Sequence, residues 1–384
     1  MRRVLHILSG MNRGGVETWI MNVLRRLDTA AIRFDFLVET DEVAAYDREI
    51  LATGGRILRS PRFRQRLRAA ARLYQVLRAQ GPYDVVHAHG RHDVGWPLSV
   101  ARAAGVARCI GHVHNVKDSH DRTPVQRAYK RVMKRVLLHN AHVILGCSSA
   151  ALGSLYDPAE AQVPGARAEL AVLPYGIDVA TFARRPGRSI RPEIERELGI
   201  PRGSLVLGHV GRFVWEKNHE FLLEVFAALF RRDPRWHLML VGDGRLRAAI
   251  EAQLDALGVR ERVRMTGVRS DVAALMSAMD VFVFPSHLEG FGLVIVEAQA
   301  LGVPCVLGQH LPAELTVHEP LIHRLPLAAG PAEWADAVER ARLSSGTTDE
   351  ARATSASAAH ESVARSHFNI ERSVATLLTR YYRF

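Results

Sequence analysis

Two glutamates, Glu289 and Glu297, enclose a segment of seven residues, GFGLVIV, that are all apolar or glycine. The run VFVFPS before them predicts a buried strand, and LVIVEAQALG predicts a helix that ends at Gly302. Glu289 is therefore expected at the carboxyl end of the strand, and Glu297 about two turns further along the chain. Carboxylates in these two places can accept hydrogen bonds from the hydroxyl groups of a ligand.

The backbone between the two acids could hold an anion. The residues expected to present amide N–H groups at the helix start are Gly290, Phe291, Gly292 and Leu293. A helix start of this kind favours a diphosphate, and a diphosphate with a hydroxyl-bearing group on each side describes a nucleotide sugar. The plainer alternative, one capping acid and one exposed helix acid, fits less well. Glu297 falls within an apolar face, where an unpaired carboxylate is costly to bury.

Two cations follow the first predicted strand of the second half of the chain, in the run GHVGRFVWEKN. Arg212 and Lys217 stand five residues apart, before a helix that is expected to start near Asn218. Arginine can grip two phosphate oxygens in a fork, whereas lysine acts as a point charge. Most such pairs only keep a surface soluble, but the position of this one at a strand-to-helix turn favours a diphosphate site.

A weaker anion-site candidate follows the first predicted strand, in SGMNRGGVET. Gly14 and Gly15 stand where a helix should begin at about Val16, so they could let an anion approach the helix start. The pattern is not G-x-G-x-x-G, and a plain tight turn explains it equally well.

Histidines are concentrated in two segments at predicted strand ends, CIGHVHNVKD (109–118) and HAHGRHD (87–93). They include His112 and His114 in the first segment and His89 in the second. No Cys, Asp or Glu accompanies them at ligand spacing, so no zinc site is predicted. These histidines are instead predicted to contact a ligand or to be ordinary structural residues.

The length of 384 residues favours two domains with a cleft between them. Short apolar runs alternate with helix-like segments, which predicts an α/β fold with two doubly wound parallel sheets. The predicted strands are 4–8, 34–38, 84–89, 142–145, 205–210, 237–241, 262–267, 281–285 and 304–308. The predicted domains are residues 1–180 and 181–365, joined by a connector over 173–204. A C-terminal helix over 366–384 is expected to pack back on the first domain, and 343–362 is expected to be a flexible loop or an exposed helix.

The chain carries a net charge of +11, and residues 54–78 contain eight arginines and no acid. Nucleic acid is not favoured as a partner, because neither interleaved aromatic residues nor a nucleic-acid motif accompanies these arginines. The three cysteines are expected to be buried reduced thiols. No apolar stretch approaches the length of a membrane span, so a cytoplasmic protein is expected.

A basic amphipathic helix is predicted over 122–139, starting with a capping box from Thr123 to Gln126. Its apolar stripe comprises Val125, Ala128, Val132, Val136 and Leu137. A helix of this kind can dock on an anionic membrane, here the inner face of the cell membrane, but it can also be an ordinary domain helix with a solvated face.

Four segments together resemble the retaining glycosyltransferases of family 4, which have the GT-B fold of two Rossmann-like domains facing across a cleft. Glu289 to Glu297 is the E-x7-E element, GRFVWEKN resembles the family's GR…K element, and GMNRGGVE resembles its first-strand loop. LPYGID…F (173–182) resembles its interdomain signature. The resemblance covers essentially the whole chain. GLVIVEAQALGVPCV is especially similar to members that build bacterial exopolysaccharide or capsule.

The resemblance implies a role for each candidate residue. Glu297 would hold the ribose hydroxyls, and Arg212 and Lys217 would neutralise the diphosphate. Glu289 would contact the donor sugar, and His114 matches a histidine that lies beside that sugar in similar enzymes. The other implied donor contacts are the amides of Phe291, Gly292 and Leu293 and, for the base, which is usually uracil, the position near Val268.

The implied reaction moves a hexose or amino-hexose from a nucleotide diphosphate sugar to an acceptor hydroxyl with retention of anomeric configuration. The acceptor would be a sugar or lipid-linked saccharide held by the N-terminal domain, with His89 and His112 on the acceptor side, in exopolysaccharide, capsule or lipopolysaccharide synthesis. No D-x-D occurs in the sequence, so neither a catalytic metal nor another cofactor is expected. Two alternatives share this architecture, a nucleotide-sugar 2-epimerase and a non-catalytic binding subunit. The EGFGLVIVE helix start argues against the first, and the presence of both acids and both cations argues against the second.

Overall fold

The computed structural model describes residues 1–114, 123–156, 167–183, 190–289, 291–346 and 348–384. The chain divides into two units, one formed by Met1–Ile177 with Ile370–Phe384 and the other by Asp178–Asn369. The boundary thus falls after Ile177 rather than after residue 180, and the C-terminal segment joins the first unit from Ile370 rather than from 366. Within that unit the indole N–H of Trp19 donates to the Ser373 hydroxyl at 3.2 Å.

The first unit alternates strands and helices along the chain. Its strands are β1 (Arg2–Leu8), β2 (Ile32–Val38), β3 (Ile57–Arg59), β4 (Val85–Gly90), β5 (Arg108–Val113), β6 (Val143–Gly146) and β7 (Glu169–Val172). Its helices up to this point are α1 (Gly15–Leu24), α2 (Asp47–Ala52), α3 (Arg66–Gln80), α4 (Gly95–Ala103), α5 (Pro124–Asn140) and α6 (Ser149–Leu155). The described strands form one parallel sheet in the order β3-β2-β1-β4-β5-β6-β7.

The second unit repeats the alternation. Its strands are β8 (Leu205–Val210), β9 (Trp236–Val241), β10 (Val263–Gly267), β11 (Val281–Phe284), β12 (Cys305–Gly308) and β13 (Ile322–Leu325). Its helices are α7 (Arg191–Leu198), α8 (His219–Arg232), α9 (Arg247–Ala256), α10 (Val272–Ser277), α11 (Leu293–Ala300), α12 (Gly330–Ser344) and α13 (Asp349–Arg365). The sheet order, in the part of the chain described, is β10-β9-β8-β11-β12-β13, again with parallel pairs.

The strand order of each sheet reverses at one point, between β1 and β4 in the first unit and between β8 and β11 in the second. At such a point the loops that leave the two neighbouring strands run in opposite directions and open a crevice beyond the carboxyl ends of the strands. Ligands bind in this crevice in doubly wound proteins. Each unit therefore has one place that the topology favours for a site.

The strands are long apolar runs because both faces of a parallel sheet are covered by helices. In the second unit, Phe226 of α8 and Trp334 of α12 are fully buried in one hydrophobic cluster with Trp236 of β9. All nine predicted strands are present. Four of the described strands are absent from that list. β3, β7 and β13 lie at sheet edges, where short mixed segments carry a weak apolar signal. β5 lies inside the first sheet, between β4 and β6, and only its end was indicated, by the histidines of 109–118.

Several local predictions can now be assessed. The capping box of α5 is confirmed, with reciprocal bonds between Thr123 and Gln126. The apolar stripe of this helix is exposed over most of its length and buried at its C-terminal end, since Val125 is 78% and Val132 52% exposed and Leu137 is fully buried. Residues 343–362 fall largely in helix α13 rather than in a flexible loop. The C-terminal segment is α14 (Ile370–Thr376) followed by a π-helical turn, Leu377–Tyr382, rather than one regular helix.

The three cysteines are free and buried, as predicted. None of the helices in the described ranges combines the length and the apolar character that a membrane-spanning segment needs.

Candidate functional site

The loops that follow β8 and β11 are joined to each other at the point where the strand order of the second unit reverses. The side-chain amide of Asn218 donates to the Pro285 carbonyl at 3.1 Å, and the backbone N–H of His287 donates to the Glu216 carbonyl at 2.8 Å. Asn218 has a φ of 54°, a left-handed conformation that asparagine tolerates better than most residues. These bonds hold the Arg212–Lys217 segment beside the segment that carries Glu289.

Lys217 and Glu289 form a direct ion pair. Each side chain is only 15% exposed, and the Lys217 ammonium also lies 4.5 Å from the centroid of the Phe284 ring. The segment from Glu289 to Glu297 contains no lysine or arginine. The loop after β8 supplies the cation, Lys217, which precedes Glu289 by 72 residues in the sequence. Lys217, predicted to bind the diphosphate, and Glu289, predicted to bind the donor sugar, therefore form an ion pair with each other in this structure.

Arg212 is exposed, and its guanidinium forms no ion pair or hydrogen bond with any residue that the structure describes. It lines an open surface cavity, whose other lining residues are Val214, Glu216, Asp243, Gly244 and Arg245. A guanidinium without a partner at the rim of a cavity is available to an anionic ligand.

Two glycines of this site were missed by the sequence analysis. A Cβ atom on Gly242, which has a φ of 137°, would lie 2.1 Å from the carbonyl oxygen of Gly211. A Cβ atom on Gly244 would lie 2.6 Å from the carbonyl oxygen of Phe213. The loop after β9 thus packs backbone against backbone on the loop that carries Arg212. The sequence signal was the G-D-G run directly after a predicted strand.

Among the residues that the structure describes, none caps the start of helix α11 with its side chain. Gly292, the residue before the helix, has a φ of 85°, which favours glycine, and no side chain bonds to the first helical amides in the described part of the chain. The amide of Leu293 therefore lies at an uncapped helix start, where partial positive charge attracts an anion. Phe291 is buried, with its ring centroid 5.4 Å from that of Phe368. Gly290, predicted to belong to this turn, lies outside the described residues.

Glu297 is the fifth of the eight residues of α11, between the buried residues Val296 and Ala298. Its side chain is partly buried, and burial raises the pKa of the carboxyl from 4.5 to about 7. No hydrogen bond or ion pair to this carboxyl exists among the residues described. A carboxyl that the fold leaves desolvated and without a protein partner is suited to accept hydrogen bonds from a ligand.

Glu297→Gln is expected to stabilise the protein by about 1–2 kcal/mol near pH 8 and to leave its stability nearly unchanged near pH 4, below the unfolded pKa of the carboxyl. Because the folded state binds the Glu297 proton more tightly than the unfolded state does, wild-type stability falls as the pH rises from 4.5 to about 7. A shift of this size corresponds to at most about 3 kcal/mol, and partial exposure of the side chain reduces it. Urea denaturation at the two pH values measures the effect, and a mutant difference that does not change with pH would contradict it.

Five histidines form a hydrogen-bonded array in the first unit. They lie on β1 (His6), on β4 (His87 and His89), on β5 (His112) and directly after β5 (His114). His6 Nδ1 bonds to His89 Nε2 at 2.9 Å, and His89 Nδ1 bonds to His114 Nε2 at 3.1 Å. The other nitrogen of His114, Nδ1, bonds to the Tyr175 hydroxyl.

A second row runs beside the first. The Tyr382 hydroxyl bonds to His87 Nδ1 at 2.8 Å, and His87 Nε2 bonds to His112 Nδ1 at 3.2 Å. Burial lowers the pKa of every ring in the array, that of His89 to about 3, so the rings are neutral at pH 7. The predicted acceptor contact at His112 is inconsistent with its position, because this ring is fully buried. His89 and His114 are partly exposed.

The remaining candidates lie at the ends of β1 and β10. Helix α1 begins at Gly15, and a Cβ atom on Gly14 would lie 2.4 Å from a carboxylate oxygen of Glu17. A carboxylate thus already lies at this helix start, which disfavours the predicted anion contact at Gly14 and Gly15. Val268, predicted to lie near the base, directly follows β10 and is 66% exposed.

Comparison with known proteins identifies the family. The model of "Glycosyltransferase Family 4" matches residues 13–181, and that of "Glycosyl transferases group 1" matches residues 190–348. EpsF of Bacillus subtilis (strain 168), which is named as a glycosyltransferase, is 36% identical over 342 residues, or 88% of each chain. The chain belongs to the family 4 glycosyltransferases.

Other relatives agree with this assignment. An Escherichia coli enzyme, UDP-Gal:alpha-D-GlcNAc-diphosphoundecaprenol alpha-1,3-galactosyltransferase, is 29% identical over 248 residues, which cover 61% of this chain and 60% of the enzyme. The crystal structure of Anabaena HepE in complex with UDP-glucose matches this glycosyltransferase with a TM-score of 0.76 and 20% identity, covering 99% of this chain and 100% of HepE. The glycosyltransferase has the GT-B fold, with two Rossmann-like units.

Proposed function

We propose that this glycosyltransferase moves a hexose or amino-hexose from a UDP-sugar to an acceptor hydroxyl with retention of anomeric configuration. The observation that carries the proposal is the grouping of Lys217, Glu289 and Glu297 around the uncapped start of α11. HepE was crystallised with UDP-glucose and the Escherichia coli relative is named for a UDP-sugar, which supports uracil as the base. The Escherichia coli acceptor is a sugar on diphosphoundecaprenol, which supports a lipid-linked acceptor in the synthesis of exopolysaccharide, capsule or lipopolysaccharide.

The proposed mechanism centres on the departing diphosphate. Arg212, Lys217 and the amides at the start of α11 are assigned to the charge that develops on the leaving group, which they stabilise once the donor is bound. When the phosphates attract the Lys217 ammonium, the Glu289 carboxylate becomes available to the hydroxyls of the transferred sugar. Glu297 in its ionised form accepts hydrogen bonds from the ribose. The role of His114 beside the transferred sugar stays a prediction, because both of its ring nitrogens already have partners.

The test of this function is a panel of nucleoside diphosphates and their sugars. We expect UDP and one or more UDP-sugars to raise the melting temperature more than the ADP, GDP and CDP counterparts, since a ligand at a hundred times its Kd adds about 2.7 kcal/mol. Transfer from the stabilising donor to a lipid-linked saccharide, followed by NMR of the new anomeric centre, then tests retention. Absence of stabilisation by every nucleotide would overturn the proposal.

Transfer activity is expected to persist in EDTA. The charge of the leaving diphosphate is assigned to Arg212, Lys217 and helix amides, and the sequence has no D-x-D pair to hold a divalent cation beside it. The measurement compares initial rates in metal-free buffer with and without EDTA, and with added Mg²⁺ as the control. Complete loss of activity in EDTA that Mg²⁺ restores would show that a metal takes part.

We also propose that helix α5 docks on an anionic membrane. Val125 and Val132 are exposed on this helix, and Arg127, Arg131 and Arg135 are exposed beside them. Exposed apolar side chains among cations suit the boundary between acidic headgroups and acyl chains.

Binding to vesicles that contain phosphatidylglycerol is expected to weaken as salt increases, and vesicles of pure phosphatidylcholine should bind little. Replacing Arg127, Arg131 and Arg135 together with glutamine should reduce flotation with the anionic vesicles. Equal flotation of the mutant and the wild type would remove α5 from the docking surface.

A further inference from the structure

The histidine array of the first unit contains a set of three rings that could ligate a metal ion. His89, His112 and His114 can each offer one ring nitrogen such that the three nitrogens lie within 4.8 Å of one another. His6, His87 and His89 form a second such set. Both sets lie where strands β1, β4 and β5 run side by side. Spacing along the chain did not reveal them, because sheet register brings together histidines that are 25 residues apart in sequence.

Each ring of the first set is fixed by a hydrogen bond through its other nitrogen. His89 Nε2 bonds to His6 Nδ1 at 2.9 Å, and His112 Nδ1 bonds to His87 Nε2 at 3.2 Å. His114 Nδ1 bonds to the hydroxyl of Tyr175, a residue that belongs to the same unit. Metal-ligating histidines almost always have such a bond on the nitrogen that does not bind the metal, because it fixes the orientation and tautomer of the ring.

The nitrogens that remain are His89 Nδ1, His114 Nε2 and His112 Nε2. The first two lie 3.1 Å apart and share one proton, and His112 Nε2 is buried with no partner among the residues described. A tetrahedral zinc ion with Zn–N bonds of about 2.0–2.1 Å places its nitrogens about 3.3 Å from one another. The His89–His114 pair therefore needs to open by only a few tenths of an ångström to accept an ion, and the proton between the two nitrogens moves to the other nitrogen of the ring that carries it.

Binding releases no proton from these neutral rings. His89 can carry its proton on Nε2 and donate it to His6, and His114 can carry its proton on Nδ1 and donate it to the Tyr175 oxygen. His112 can donate from Nδ1 to His87. In this arrangement of tautomers, all three remaining nitrogens present lone pairs, and neutral imidazole is the form that binds a metal.

The exposure of the side chains favours the set of His89, His112 and His114 over the set of His6, His87 and His89. His89 and His114 are partly exposed, so an ion can enter and water can occupy a fourth position, whereas His6 and His87 are buried. Neutral nitrogen ligands suit Zn²⁺, Cu²⁺ and Ni²⁺, and they do not suit Mg²⁺ or Ca²⁺, which prefer oxygen. We propose that His89, His112 and His114 form a binding site for a divalent transition metal ion such as Zn²⁺. The site is argued from the histidine array alone and does not rest on the transfer reaction proposed above, although His114 is also predicted to lie beside the transferred sugar.

The test uses full-length protein without a histidine tag, stripped of metal by a chelator. Titration with Co²⁺ is expected to produce the visible absorption of a four-coordinate site at one equivalent, and Zn²⁺ should abolish that absorption by displacement. His89→Gln removes one ligand and is expected to weaken Zn²⁺ at least tenfold in competition with a chromophoric chelator. His209→Gln is the matched control, because His209 is a buried strand histidine of the second unit, and it should leave the affinity unchanged.

Tyr175→Phe adds a milder test, since loss of a bond to a ligating histidine weakens metal binding by about 10–100-fold. If His89→Gln does not fold by circular dichroism, the nitrogen hyperfine pattern of Cu²⁺ bound to the wild type provides an independent count of imidazole ligands, and three are expected. Failure of the stripped wild type to bind Co²⁺, a Cu²⁺ spectrum without imidazole nitrogens, or equal Zn²⁺ affinity in folded His89→Gln and the wild type would overturn the site.

Discussion

Lys217→Ala is expected to lower kcat/KM for sugar transfer by about 10²–10³-fold, a loss typical of removing one group that stabilises a developing anion. The mutation removes a cation assigned to the departing diphosphate. It also leaves Glu289, only 15% exposed, without its ion-pair partner. Steady-state kinetics with the donor identified by the nucleotide panel measures the loss, and chemical denaturation measures the accompanying destabilisation.

Two further variants distinguish the loss of the catalytic cation from the destabilisation caused by an unpaired Glu289. Lys217→Ala combined with Glu289→Gln removes the unpaired charge, so stability should recover while activity stays low. Arg235→Ala is the matched control for loss of a cation. Arg235 belongs to the same unit but pairs with Asp233 at 2.7 Å, before β9 rather than after β8, and it should leave kcat/KM unchanged. Full activity in Lys217→Ala would exclude this lysine from the proposed mechanism.

Glu297→Ala is expected to weaken UDP binding by about 10–100-fold and to leave pyrophosphate binding nearly unchanged. Hydrogen bonds to a charged group contribute about 1.5–3 kcal/mol, and the proposal assigns the bonds of Glu297 to the ribose, which pyrophosphate lacks. Isothermal titration with UDP and with pyrophosphate measures both affinities in the same protein.

The matched control for this prediction is Glu224→Ala, which removes an exposed glutamate from helix α8 of the same unit. It should leave both affinities unchanged. Loss of folding is an improbable cause of the Glu297→Ala effect, because removing this desolvated carboxyl is expected to stabilise the protein above pH 7. An equal loss of UDP and pyrophosphate affinity would contradict the ribose assignment.

Much of the fold could be predicted because its signals are local. The runs at 205–210 and 281–285 are apolar over the length of a strand, so burial between helices follows from composition alone. The helix start after Gly292 was also predictable, because a glycine directly precedes an apolar run in the sequence. The structure gives this glycine a positive φ. Helix α13 was ambiguous from its composition. Close packing explains its small residues. Ala356 lies so close to Gly302 that a Cβ atom added to Gly302 would be only 2.4 Å from Ala356.

The sequence by itself determined the alternation of strands and helices, the family, and the acids and cations at strand ends, because each of these depends on residues that are close along the chain. Only the tertiary structure decided which of these groups are partners. Lys217 pairs with Glu289 because β8 and β11 are neighbours in the sheet, although 72 residues separate the two side chains. The histidine array exists because the register of β1, β4 and β5 aligns rings that no spacing rule connects. Strand order and register depend on the packing of the whole unit, so neither the ion pair nor the array can be read from local sequence patterns.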